Sequence, residues 1–330
     1  MSVTPWLADA WTQLAARRAA ARFPHAVLVA GPAGLGKREF VAALAASLLC
    51  TKPGADGRPC GGCRGCAWVA AGSHPDRVAI SYGLRDDGQP RTEIVVDQVR
   101  ELSARLAMRP HAGGWQVATI DPADRLNPNA ANALLKTLEE PAADTVIVLV
   151  ADEPTRLPAT IRSRCQLVEA RFPDRTLALA WLAGQGIDAA EAGDALALAA
   201  GNPGAALASC RGDSRELARA VATDLAELLR GRVQPAELAP RWAKDRAVER
   251  VAIAAQLARS VAWPPGATAL PAAATELARL TAGSDFPKLS AWWDRANRVR
   301  AQLRTPLRAD LILLELLRDW RALAPVAKRA

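Results

Sequence analysis

Residues 26–38, AVLVAGPAGLGKR, combine a short apolar strand with a glycine-rich loop. The loop follows the phosphate-binding pattern G-x-x-x-x-G-K-S/T up to its last position, and the residues that we assign to phosphate binding are Gly31, Gly34, Gly36 and Lys37. In this pattern backbone N–H groups surround phosphate oxygens, the lysine neutralises their charge, and the final hydroxyl binds Mg²⁺. Arg38 occupies the hydroxyl position. The sequence therefore predicts a loop that keeps its phosphate-binding groups but lacks a metal ligand, and nucleotide binding is left open.

The sequence that follows the loop helps to interpret it. Residues 38–49 are apolar on nearly every face, which is typical of a helix buried between layers. A strand, a phosphate loop and a buried helix in this order favour a true phosphate-binding ancestry. The alternative is a glycine-rich turn that never meets a nucleotide.

Length and composition limit the class of protein. At roughly 100–200 residues per domain, the 330 residues predict two or three domains. No apolar run approaches the ~18 residues of a membrane helix, and the first residues do not resemble an export signal, so we expect a cytoplasmic protein without a membrane partner. The net charge of +8 favours contact with polyanions, although acidic residues interleave with the basic ones and a solvated surface explains them equally well.

Four cysteines lie within seventeen residues, at positions Cys50, Cys60, Cys63 and Cys66. Two C-x-x-C steps share Cys63, and a fourth thiol comes from the end of the preceding helix, an arrangement that suits tetrahedral Zn²⁺. Because protein thiols fill all four positions, we predict a structural zinc with no catalytic role. An iron–sulfur centre and unliganded thiols are the alternatives.

A second element of a nucleotide site follows the predicted strand at 116–120. The strand ends in Asp121, and an aspartate at this place in P-loop ATPases (the Walker B position) helps to hold Mg²⁺. The next residue, Pro122, cannot accept a proton. Residues 127–141, NPNAANALLKTLEEP, then predict a helix that begins after an asparagine cap and stops at a proline, and Lys136 projects beside its apolar face.

Several motifs together resemble a known family. The phosphate loop, the four-cysteine module, NALLKTLEE at 132–140 and SRC at 163–165 are similar to the bacterial clamp-loader subunits of DNA polymerase III, which belong to the AAA+ ATPase class. The resemblance covers about residues 24–210. It implies an α/β plus all-α fold, with a parallel-sheet AAA+ domain at 1–169 that carries the zinc module at 50–66, a small helical lid at 170–212 and a C-terminal helical collar at 213–330.

Departures from the family pattern favour the delta prime type over the gamma/tau motor type. The resemblance implies that four positions have lost the groups used in ATP hydrolysis. These positions are Arg38, Pro122, which replaces a glutamate, Ala151, which replaces a hydroxyl that senses the γ-phosphate, and Gly204, which replaces a lid arginine. Because each loss removes a different part of phosphoryl transfer, we predict a chain that does not hydrolyse ATP by itself.

Arg164, in the SRC motif, is retained. The resemblance implies that it is an arginine finger, which reaches in trans to ATP bound by a neighbouring gamma/tau subunit and contributes ~10³–10⁵ in rate. Lys136 is a second candidate at the subunit boundary, and an ordinary surface arginine is the alternative reading of Arg164.

The implied function follows from these residues. The chain is expected to be a stator in a hetero-pentamer with gamma/tau and delta subunits, part of a nucleotidyltransferase complex that loads the sliding clamp onto primer-template DNA during replication. A competent gamma/tau-type ATPase and a zinc-dependent nucleic-acid binding module are the alternative functions.

Overall fold

The computed structural model describes residues 3–84, 88–89, 91–211, 214–262, 272–281, 286–303 and 307–324. The chain divides into two compact units, Met1–Phe172 and Pro173–Ala330. None of the described helices is both long and apolar enough to span a membrane.

A five-stranded parallel sheet forms the centre of the first unit. Its strands are β1 (Ala26–Ala30), β2 (Arg77–Ile80), β3 (Gln116–Ile120), β4 (Thr145–Ala151) and β5 (Gln166–Glu169), in the spatial order β2-β3-β4-β1-β5. Every pairing is parallel. The three central strands β3, β4 and β1 are buried along their whole length, as expected for a parallel sheet with helices on both faces.

Two layers of helices cover this sheet. The helices of the first unit are α1 (Ala8–Ala19), α2 (Lys37–Leu48), α3 (Arg64–Ala70), α4 (Val96–Leu106), α5 (Pro128–Glu139) and α6 (Ala159–Arg162). On one face, Phe40 and Leu44 of α2 pack with Val27 and Val29 of β1. On the other face, α4 and α5 pack against Leu28 of β1 and the alternate residues of β4. The predicted α/β architecture is confirmed.

The described part of the second unit is entirely helical. Its helices are α7 (Arg175–Gly184), α8 (Ala189–Leu198), α9 (Pro203–Cys210), α10 (Ser214–Leu229), α11 (Pro235–Lys244), α12 (Ala247–Ala262), α13 (Ala272–Leu280), α14 (Phe286–Gln302) and α15 (Ala309–Arg321). Helices α7–α9 share a small core around Leu182 and Leu196, and the later helices share a larger one. Trp242 and Trp320 are fully buried in the larger core, where Trp320 Nε1 donates to Leu225 O at 3.0 Å. The predicted division at 212/213 lies outside the described residues and stays a prediction.

Candidate functional site

The glycine-rich loop joins β1 to α2 at the carboxyl edge of the sheet. Gly31 has φ +142°, and a Cβ there would lie 2.2 Å from the carbonyl oxygen of Ala170. Gly36 has φ +75°, and a Cβ there would lie 2.5 Å from Cγ2 of Thr4. Gly34 also has a positive φ, of +85°. The loop therefore needs glycine at Gly31 and Gly36 both for the backbone conformation and for the space around it.

Lys37, the first residue of α2, is held by its own chain. Its side chain is 1% exposed. Its Nζ donates to the carbonyl oxygens of Gly31 at 2.6 Å and Pro32 at 2.7 Å. It also forms an ion pair with Asp152 Oδ1 at 2.6 Å, although this contact lacks the direction of a hydrogen bond. Three oxygens of the protein therefore surround the ammonium group of Lys37, two as hydrogen-bond acceptors and one as the counter-ion.

Arg38 joins the carboxylates at the ends of two neighbouring strands. Its Nε donates to Asp121 Oδ2 at 2.8 Å and its Nη2 donates to Asp121 Oδ1 at 2.9 Å, which is a bidentate pair. The same Nη2 lies 3.4 Å from Asp152 Oδ2. Asp121 follows β3 and Asp152 belongs to the turn after β4, and adjacent parallel strands bring their carboxyl ends to the same edge. A guanidinium of the chain therefore lies beside Asp121, the aspartate predicted for the Walker B position.

Lys37, Arg38, Asp121 and Asp152 form a network, which we call the internal ion network, whose formal charges sum to zero. Burial raises the pKa of Asp152, but Lys37 and then Arg38 outweigh that effect and hold its pKa below the usual value. Burial lowers the pKa of Arg38, and its bonds to Asp121 and Asp152 raise it further than burial lowers it. Asp152 and Arg38 are thus both stabilised in their ionised forms by charged groups of the chain itself.

Two residues of this site escaped the sequence analysis, Asp152 and Asp124. The side chain of Asp124 is 2% exposed, and its Oδ1 accepts the backbone N–H of Asp152 at 3.2 Å. Asp124 therefore positions the residue that pairs with Lys37. The sequence did carry a signal for Asp152, because it directly follows the apolar strand β4. The carboxyl ends of the strands are the edge at which parallel sheets bind ligands.

The four predicted zinc ligands converge. Their Sγ atoms all lie within 4.8 Å of one another, with 3.8 Å between Cys50 and Cys63 and 4.0 Å between Cys60 and Cys66. Four sulfurs placed ~2.3 Å from a tetrahedral ion lie about 3.8 Å apart, so the cluster has the size that Zn²⁺ requires. Hydrogen bonds from the Cys66 N–H and the Thr51 hydroxyl lower the pKa of Cys63 to about 5, which favours a thiolate there, whereas burial raises the pKa of Cys66 to about 12.

The loop that carries these cysteines is attached to α1 and α2. Trp11 Nε1 donates to Asp56 O at 2.9 Å, and Ser47 Oγ donates to Gly57 O at 2.5 Å. Arg18 donates to both the carbonyl and the hydroxyl oxygen of Ser47 at 2.8 Å. The cysteine loop is thus part of the first unit's packing, which suits a structural role for a bound metal.

Arg164 lies after α6, and its polar contacts are with residues of α5 and α6 rather than with the phosphate loop. Its Nη2 forms an ion pair with Glu139 Oε1 at 2.6 Å, and its Nη1 donates to Thr160 O at 2.9 Å. Its side chain is 36% exposed. Lys136 is exposed on α5 and makes no ion pair with any described residue, so the structure does not join it to Arg164.

Comparison with known proteins identifies the family. The family model described as DNA polymerase III, delta subunit, matches residues 6–173. The chain is 40% identical over 244 residues to DNA polymerase III subunit delta' of Pseudomonas aeruginosa, which covers 73% of this chain and 71% of that protein. It is 40% identical over 213 residues to the Escherichia coli delta' subunit, covering 64% of this chain and 61% of that protein. It is also 34% identical over 145 residues to the tau subunit of Bacillus subtilis, covering 44% and 24%. The chain therefore belongs to the delta prime family of DNA polymerase III clamp-loader subunits.

Proposed function

We propose that this chain is a non-hydrolysing stator of a clamp loader and that it donates Arg164 in trans to ATP bound by a gamma/tau-type neighbour. The observation that carries the first half is the internal ion network, because it gives Lys37 and Asp121 partners from within the chain. The retained and solvent-accessible Arg164 supports the second half.

The internal ion network opposes both ligands of an ATPase site. A triphosphate would have to take Lys37 from Asp152, and the displaced carboxylate would then face the negative phosphates. A Mg²⁺ ion would have to share Asp121 with a guanidinium of the same sign of charge. Pro122, next to Asp121, offers no group to accept a proton from water, so a bound nucleotide would still lack a general base.

Arg164 has the freedom that a finger in trans requires. Its contact with Glu139 is an exposed ion pair, and such pairs contribute only ~0–1 kcal/mol. An arginine finger that meets the charge of a γ-phosphate contributes ~10³–10⁵ in rate, which corresponds to ~4–7 kcal/mol. The local contact is therefore too weak to withhold Arg164 from a neighbouring phosphate.

The remaining assignments complete the proposal. Structural Zn²⁺ is held by the four thiols, residues 170–212 act as the lid and 213–330 as the collar, and separate cores in the second unit support that division. The partners are gamma/tau and delta subunits, and the assembly acts in the cytoplasm on the sliding clamp and primed DNA. Lys136 remains a weaker candidate at the subunit boundary.

The test is reconstitution of the complex with gamma/tau-type and delta partners. We expect Arg164→Ala to lower ATP turnover while assembly, followed by size-exclusion chromatography, stays unchanged. Arg162→Ala is the matched control, because Arg162 is an exposed arginine two residues away. Equal turnover by the wild-type and Arg164→Ala complexes would contradict the trans role.

Two measurements on the isolated chain address the other functions. ATP hydrolysis that is abolished by Lys37→Ala would favour a gamma/tau-type motor. DNA binding that weakens with salt and is lost when the four cysteines are replaced would favour a zinc-dependent nucleic-acid module.

A further inference from the structure

Arg164 is held at two points that belong to different helices. The carbonyl of Thr160 lies in α6, just before Arg164, whereas Glu139 is the last residue of α5. The two contacts engage Nη1 and Nη2 of the guanidinium separately. The two contacts therefore favour one orientation of the guanidinium plane.

The location of Glu139 has no explanation in the stability of its own helix. The carboxyl end of a helix carries partial negative charge, so an acidic residue there destabilises the helix. Two acidic residues, Glu139 and Glu140, nevertheless follow one another at the end of α5. Of these, Glu139 has a cationic partner in Arg164, and Glu140 forms no ion pair with a described residue. Among the described residues, Arg164 is the cation that pairs with Glu139.

We infer that Glu139 is a positioning residue for Arg164, an inference that rests on the proposed function. A guanidinium has five N–H donors. Nη1 donates to Thr160 O at 2.9 Å and to Ser163 Oγ at 3.5 Å, and Nη2 forms the ion pair with Glu139. The donors that remain are enough for a two-point contact with a phosphate, so Glu139 and the phosphate can bind Arg164 together. A free arginine side chain loses rotamer entropy when it is immobilised on a phosphate. The pair with Glu139 reduces that loss, because it restricts the side chain of Arg164 before ATP is bound.

The experiment uses the reconstituted complex and measures steady-state ATP turnover. The quantity to compare is the Arg164-dependent turnover, that is, the turnover of each complex minus that of the Arg164→Ala complex. We expect Glu139→Gln to lower this quantity about two- to fivefold, as expected for the loss of an exposed ion pair. The fall should lie in kcat, with KM for ATP unchanged, because the neighbouring subunit binds the substrate.

Three controls separate positioning from a structural effect. Glu140→Gln makes the same chemical change one residue away and should leave turnover unaltered. Because it also removes a negative charge from the end of α5, it should not lower thermal stability. The double variant Glu139→Gln with Arg164→Ala should match Arg164→Ala alone, because a positioning residue has no effect without the side chain that it positions. Raising the salt concentration should narrow the difference between the wild type and Glu139→Gln, since the pair is exposed.

The outcomes distinguish this inference from the proposed function. Suppose that Arg164→Ala lowers ATP turnover but that Glu139→Gln turns over ATP as fast as the wild type, or faster. This result would leave the trans role of Arg164 in place and overturn the positioning role of Glu139. A further loss from Glu139→Gln in the Arg164→Ala background would also overturn it. If Arg164→Ala itself has no effect, the trans role fails and the inference fails with it.

Discussion

Asp152→Asn tests the internal ion network directly, because it removes one charge and keeps the size of the side chain. The substitution leaves the ammonium of Lys37, which is 1% exposed, with two carbonyl acceptors and no anion. Breaking a fully buried ion pair costs ~3–5 kcal/mol. Asp152 is 28% exposed and Lys37 keeps two hydrogen bonds, so we expect a smaller loss of about 1.5–3 kcal/mol.

The assay is thermal unfolding of the full chain, followed by circular dichroism. For a unit of this size the loss corresponds to a fall of roughly 3–12 °C in the Tm of the first unit. Asp97→Asn is the control, because Asp97 is exposed and its pair with Arg100 lies on the surface. That variant should change stability by less than ~0.5 kcal/mol.

The effect of Asp152→Asn should depend on pH in one direction. The folded-state pKa of Asp152 is lowered, so its ionised form stabilises the fold above the unfolded pKa of about 3.9. As pH falls through the folded pKa, the carboxylate is protonated and the wild type loses this advantage. A difference between wild type and variant that persists undiminished at strongly acid pH, or a variant as stable as Asp97→Asn at neutral pH, would refute the reasoning.

Three further predictions concern the loop and the cysteines. The double variant Arg38→Thr with Asp152→Ala removes the ion pair of Lys37 with Asp152 and the guanidinium beside Asp121. We therefore expect it to bind ATP in the presence of Mg²⁺, as measured by equilibrium dialysis. Equally tight ATP binding by the wild type would contradict the view that the internal ion network opposes the nucleotide. Gly36→Ala should lower Tm more than Gly72→Ala, because both positions have positive φ but only the Cβ at position 36 would meet a side-chain carbon, at 2.5 Å. The chain should carry one Zn²⁺, measured by elemental analysis, and Cys63→Ser should lower both the zinc content and Tm; iron in its place, or wild-type zinc content in the variant, would refute this assignment.

The parts of the site that sequence predicted well are local. AVLVAGPAGLGKR encodes a strand, a loop and the start of a helix within thirteen residues, and the structure has β1 at Ala26–Ala30 and α2 from Lys37. The four cysteines likewise lie close in sequence, so their spacing alone indicated a cluster. Residue patterns predict local structure well, because the periodicity of strands and helices is visible within a few residues.

The contacts that sequence missed join distant parts of the chain. Arg38 and Asp152 are separated by 114 residues, and they meet because β4 lies between β3 and β1 in the sheet. The pair of Glu139 with Arg164 likewise depends on how α5 and α6 lie against each other. Strand order and helix placement are set by the whole fold, so no local pattern identifies the partner of a charged residue.

The internal ion network also gives the residues of the phosphate-loop pattern partners within the chain. Asp121, which the sequence pattern places at the Walker B position, accepts two hydrogen bonds from Arg38. Removal of Asp121 would leave that guanidinium with the weaker contact to Asp152 alone. The four charges of the network therefore depend on one another. A substitution of Arg38 by serine or threonine would leave Asp121 and Asp152 without their shared cation, while Asp152 would still pair with Lys37. Under the proposed function, a variant that binds ATP with Mg²⁺ is therefore expected to need at least two substitutions, one at Arg38 and one at Asp152.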